Sequence, residues 1–168
     1  MIDIAELTYR AVEYDKGDPR RIQHFIKVHS FARLIGTREK LSPQDMNILE
    51  AAAVLHDIGI HNSEKKYHST AGQYQQTEGV PVARDILLGM DVSERDIEKI
   101  CFLIAHHHTY DGVDSVLWRI LLEADFLVNA YEDNMSDAAI HTAAEKIFET
   151  ESGEKLLADL FFGEKYNV

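Results

Sequence analysis

The sequence predicts an all-α fold in one domain. Three observations carry that expectation. Apolar residues recur at helical spacing along most of the chain, several helix starts are marked by cap residues, and no series of alternating strands is present. At 168 residues the chain matches one domain by length and is large enough to bury a real core.

Residues 3–14 read as an amphipathic helix, with Ile4, Leu7, Ala11 and Val12 on one side. Asp18-Pro19 marks the next start, an acceptor side chain followed by proline at the first helical position. That helix is expected to run to about Gly36, and its wide apolar arc contains both His24 and His29. Ser42-Pro43 repeats the start signal for a helix over 43–57 that Gly59 ends. The polar stretch 60–70 reads as an exposed loop. A short helix is expected over 70–78 and another from Gly79-Val80-Pro81 to about 89. Ser93 with Asp96 starts a helix that closes on His106-His107-His108, and Asp111-Gly112 marks a turn. Helices over 115–133, 137–150 and 153–162 complete the chain.

Composition narrows the function classes. Seventeen basic residues against 29 acidic ones give a net charge of −12, which argues against tracking a nucleic-acid polymer or an anionic membrane. A small phosphorylated substrate remains compatible, because a bound cation inverts the local field. No run approaches the roughly 18 apolar residues of a membrane span. The first residues, with Asp3 and Glu6, lack a signal-type apolar block. The single cysteine, Cys101, cannot form an internal disulfide, so a cytoplasmic location is expected.

Several polar residues stand where packing alone would not put them. His56-Asp57 closes a helix that has been apolar for two turns. Asp125 falls among Trp118, Leu121 and Leu122 on the helical wheel, well away from Arg119 and Glu123. A buried carboxylate costs several kcal/mol unless a positive charge sits on it. With His24 or His29 and the pair His106-His107, these residues span four helices. Imidazoles and carboxylates in one place suit a divalent transition metal: Mn, Fe, Co, Ni or Zn. The competing structural readings are a helix C-terminus for the histidines and a core ion pair for Asp125.

The ordered set resembles the HD-domain phosphohydrolase superfamily. Arg21-Ile-Gln-His24-Phe-Ile-Lys-Val28-His-Ser-Phe-Ala32 is similar to the family's first motif and selects His24 over His29. Leu55-His56-Asp57-Ile58-Gly59 resembles the His-Asp signature, and Leu122-Glu-Ala-Asp125-Phe-Leu the terminal aspartate motif. The resemblance covers about 20–130, with the helices over 137–162 appended to make one HD-type domain over 1–168. It implies a helical bundle of the HD-domain type with a metal held by His24, His56, Asp57 and Asp125.

His106-His107-His108-Thr-Tyr-Asp111-Gly112 also resembles the stretch that binds an additional metal in the HD-GYP branch. His108 stands in place of that branch's glutamate, Val-Asp-Ser follows Gly112, and Ile60 replaces a lysine, which argues against cyclic-di-GMP as substrate. The mononuclear 5′-deoxynucleotidase branch has a glutamate where Ile60 stands, so the general acid is left to His106, His107 or Glu64. By resemblance to dinuclear branches, His68 joins His106 and His107 as a candidate ligand of a second metal.

The expected enzyme is therefore a metal-dependent phosphohydrolase, acting on a nucleotide or other small phosphate ester by attack of a metal-bound hydroxide. Asp57, His106 and His107 are its candidate catalytic residues, with Lys65 and Lys66 as candidate phosphate contacts. An iron oxygenase on the same scaffold and a non-catalytic nucleotide or metal sensor are the alternatives. His29, His61 and His141 read as structural or surface residues.

Overall fold

The structure is a computed structural model and describes residues 1–163. The last five positions of the expected 1–168 domain lie outside the described residues. The helices are α1 (Ile4–Tyr14), α2 (Pro19–Arg38), α3 (Pro43–Leu55), α4 (Ile60–Tyr67), α5 (Gly72–Leu88), α6 (Glu94–His106), α7 (Val116–Glu132), α8 (Asp137–Ile147) and α9 (Glu151–Leu157). A π-helical turn, Ala158–Phe162, closes the series. The chain is all-α and no strand occurs among the described residues.

The cap residues act as the sequence implies. Asp18 accepts the Arg21 N–H at 3.1 Å, Ser42 the Asp45 N–H at 3.1 Å and Ser93 the Asp96 N–H at 3.3 Å. Each satisfies an amide that the first turn of a helix leaves without an internal partner.

Two helices form the centre. In α3 the run Ile48–Leu55 is buried on every side, and in α7 the buried run is Trp118–Val128. Helix α2 packs against both, and α6 also lies against both. Side chains such as Ile35, Leu49, Leu55, Ile104 and Ile120 are fully enclosed, each burial contributing about 1.5–3 kcal/mol. Helices α2, α3 and α7, which carry His24, His56 and Asp125, thus pack directly on one another at the centre of the fold.

The structure corrects the sequence reading in three places. The stretch expected as an exposed loop over 60–70 contains α4, which buries Ile60 and Ser63 beneath the charged surface of Glu64, Lys65 and Lys66. Two helices expected over 70–89 are one, because Pro81 is exposed and removes a single hydrogen bond from an otherwise continuous α5. Gly79 lies within that helix where its backbone meets Gly59; a Cβ on Gly59 would collide with the Gly79 main chain. Finally, α8 stops at Ile147 because Phe148 is extended, and Thr150 caps α9 two residues earlier than expected. Among the described residues no helix is long and apolar enough to cross a membrane.

Candidate metal centre

Helices α2, α3 and α7 bring His24, His56, Asp57 and Asp125 together. His24 faces inward from the buried side of α2, and Asp125 from the mid-length of α7. His56 caps α3, and Asp57 stands in the turn that leads to α4. His24 Nε2 lies 3.2 Å from His56 Nε2 and 3.2 Å from Asp125 Oδ1. Asp125 Oδ1 is 3.4 Å from His56 Nε2, and Asp57 Oδ2 is 3.5 Å from His24 Nε2 and 3.6 Å from His56 Nε2. His24, His56 and Asp125 are buried, and Asp57 is nearly so.

The outer nitrogens of these rings decide what faces the centre. His56 Nδ1–H donates to the Ala53 carbonyl at 2.8 Å, and His24 Nδ1–H to Glu132 Oε2 at 2.9 Å. A neutral imidazole with its proton on Nδ1 presents a bare lone pair at Nε2. Two such lone pairs and two carboxylates then converge with no donor between them. That arrangement is unfavourable unless protons or a cation fill it. The donor set of two imidazoles and two carboxylates fits a divalent transition metal.

The electrostatics agree. Burial alone would lower the His56 pKa, but the Asp57 and Asp125 carboxylates outweigh it and raise it to about 9. His24 is raised in the same way, burial being outweighed chiefly by its bond to Asp125. Burial would raise both carboxylates, yet His56 and His107 hold Asp57, and His24 and His56 hold Asp125, well below the usual range. The cluster favours positive charge, and its donor atoms could hold a metal ion.

A second group shares Asp57. Its other oxygen, Oδ1, lies 3.3 Å from His107 Nε2, and both atoms are buried without a hydrogen-bond partner. His107 Nδ1–H donates to the Ile104 carbonyl at 2.6 Å, so Nε2 again presents a lone pair. His108 completes this group, in which one donor atom from each of Asp57, His107 and His108 lies within 4.8 Å of the others. Burial, helped by the neighbouring His107, lowers the His108 pKa to about 4, so its ring is neutral at ordinary pH.

The remaining candidates lie elsewhere. Adjacent residues on a helix point about 100° apart, so His106 and His107 cannot share a target. The His106 ring stacks on Phe102 at 4.2 Å and meets the edge of Trp118 at 5.2 Å. Trp118 Nε1–H donates to the His106 carbonyl at 2.9 Å. His68 is exposed, at the left-handed residue that ends α4. Lys66 pairs with Glu78 at 2.7 Å, and Lys65 is exposed beside His61 and Tyr14. Glu64 pairs with Arg21 at 3.8 Å and His61 at 3.6 Å. Sequence reasoning passed over His108, treating it only as a departure from a family stretch. It also missed Glu132, although Glu132 stands seven residues after Asp125, two turns along one face of α7.

A cleft of about 790 Å³ is lined by Tyr110, Phe126, Ala139, Thr142, Ala143 and Lys146 among others. Phe126 follows Asp125 directly. The Tyr110 phenol is raised by burial and also feels the Asp125 charge.

Comparison with known proteins agrees with this geometry. A search of curated proteins finds no match. Among solved structures, the chain is similar to a crystal structure described as a predicted HD superfamily hydrolase from an uncultured Thermotogales bacterium. The TM-score is 0.63 at 25% identity, covering 95% of this chain and 84% of that one. The HD domain family matches residues 21–156, which include every residue of both clusters, and the chain belongs to that family.

Proposed function

We propose that the protein is a metal-dependent phosphohydrolase acting on a nucleotide or other small phosphate ester. One observation carries this reading: the Nε2 lone pairs of His24 and His56 face each other and two carboxylates, with both Nδ1 protons already committed. A hydrolase activity also accords with the description of the structural relative. A divalent cation held by His24, His56, Asp57 and Asp125 supplies Lewis acidity toward a phosphoryl oxygen and toward water.

The chain's own residues do the rest. Asp57 would help hold the cation, while its Oδ1 faces His107 Nε2 at 3.3 Å. His107 Nε2, left bare because Nδ1–H is held by the Ile104 carbonyl, would take a proton from the attacking water and pass it on to the leaving oxygen. The organic part of the substrate lies in the cleft between Tyr110, Phe126 and α8.

Metal analysis followed by a phosphate-release screen over nucleotides and dinucleotides tests this, with Asp57→Ala as control. The wild type is expected to release phosphate only when metal is present, and the variant to lose both metal and turnover. Metal-dependent turnover retained in Asp57→Ala counts against the reading.

The shared Asp57 supports a second reading. The group Asp57, His107 and His108 gives the site capacity for a second ion, which an iron-dependent oxygenase on this scaffold requires. Two redox-active irons per chain with oxygen consumption would favour the oxygenase over the phosphohydrolase.

A further inference from the structure

Glu132 is a largely buried carboxylate that the proposed reaction does not use, its side chain 14% exposed. It sits in the last turn of α7, two turns beyond Asp125 on the same face. Its Oε2 accepts His24 Nδ1–H at 2.9 Å, and its Oε1 takes the Lys27 ammonium at 2.5 Å. Lys27 stands one turn beyond His24 on α2. The four residues therefore form two rungs between α2 and α7: His24 to Asp125 at the inner nitrogen, and His24 with Lys27 to Glu132 at the outer side.

The three imidazoles that present Nε2 to the clusters are not equivalent. His56 and His107 rest their outer nitrogens on main-chain carbonyls of their own helices, Ala53 and Ile104. Only His24 rests on an ionised carboxylate from a different helix. A carboxylate draws the Nδ1 proton more strongly than a carbonyl does, which increases electron density at Nε2 and fixes the ring's tautomer and direction. The carboxylate stays ionised because Lys27 neutralises it on the far side.

We infer that Glu132, held by Lys27, is a positioning residue that makes His24 the strongest imidazole donor of the metal centre and couples metal affinity to the α2–α7 contact. This inference rests on the reading that His24 is a metal ligand.

The test uses the full chain, stripped of metal, labelled with ¹⁵N-histidine and titrated with Zn²⁺. In the wild type Zn²⁺ shifts the His24 Nε2 resonance, while Nδ1 keeps a proton further downfield than those of His56 and His107. In Glu132→Gln the Zn²⁺ affinity falls about 10–100-fold, and the His24 Nδ1 proton moves upfield. The metal-free melting temperature stays close to that of the wild type. Should Glu132→Gln fail to fold, Lys27→Met serves instead: it keeps the His24 Nδ1 proton but loses affinity to a smaller extent. Unchanged affinity and an unmoved Nδ1 proton in Glu132→Gln, or wild-type affinity in Lys27→Met, overturn the inference while the metal reading stands. If Zn²⁺ shifts no His24 resonance in the wild type, both are overturned together.

Discussion

Helix α7 buries two carboxylates two residues apart, and they do opposite things. Glu123 is fully enclosed and accepts the Glu149 N–H at 2.8 Å, the Thr150 N–H at 2.9 Å and the Thr150 hydroxyl at 2.5 Å. Gly153 lies so close that a Cβ there would strike this carboxylate. Three donors from the approach to α9 are thus spent on Glu123, and the result is a structural clasp between α7 and α9. Asp125 is just as buried, yet it faces two ring nitrogens whose protons are committed elsewhere. A buried carboxylate surrounded by donors is complete; one surrounded by lone pairs calls for a cation. Burial alone would have made the two residues look alike.

The contrast is open to direct attack. Asp125→Ala is expected to abolish metal binding, a loss greater than the roughly 100-fold limit typical of outer partners. Circular dichroism should still show the helical content of the metal-free protein. An Asp125→Ala protein that retains stoichiometric metal by elemental analysis would break the comparison. Glu123→Ala is expected to do the reverse. Losing its charge-assisted bonds costs about 3 kcal/mol, or roughly 6–12 °C in melting temperature for a chain of this size, with metal content unchanged.

Acidity sharpens the same point. In the metal-free protein His56 has a pKa of about 9, above its unfolded value near 6.5. The protonated ring therefore contributes stability that is complete below about pH 6.5 and is lost as pH rises through about 9. A bound cation replaces that proton. The stabilisation measured on adding metal should accordingly grow between those limits, by up to about 1.4 kcal/mol per pH unit for each proton displaced. Melts with and without chelator across the range check this, and a flat difference would mean that the ion does not displace the His56 proton. The smallest effect belongs to His106→Ala. It loses ring contacts with Phe102 and Trp118 and a half-exposed hydrogen bond to the Phe102 carbonyl. The aromatic contacts are worth about 0.5–1.5 kcal/mol, and metal binding by calorimetry should match the wild type.

How far the sequence reads through to the structure depends on what covers each residue. Helix starts were legible because Asp18, Ser42 and Ser93 must satisfy amides within their own first turn. Helix α4 was not legible, since its buried side shows little more than Ile60 and Ser63 beneath a charged surface. The continuity of α5 was hidden because Pro81 stops most helices, and the Gly59–Gly79 approach that steadies it joins residues distant in sequence. In the candidate site, His56, Asp57 and Asp125 stood out as polar groups inside apolar helices, whereas His24 was told from His29 only by its place in a motif resembling the family's first. The choice between His106 and His107 lay in a rotation at a frayed helix end that periodicity does not resolve. Glu132 carried no mark of its own, being flanked by exposed Tyr131 and Asp133 at a helix terminus.

Trp118 is the chain's lone tryptophan. It is buried, and its indole N–H is tied to the carbonyl of His106, the residue just before His107. The protein thereby carries a built-in fluorophore one residue from a candidate ligand. Any movement of the α6 terminus as His107 changes partner alters the indole's hydrogen bond and hence its emission. Loading of the site can be followed in the unlabelled protein by ultraviolet light alone.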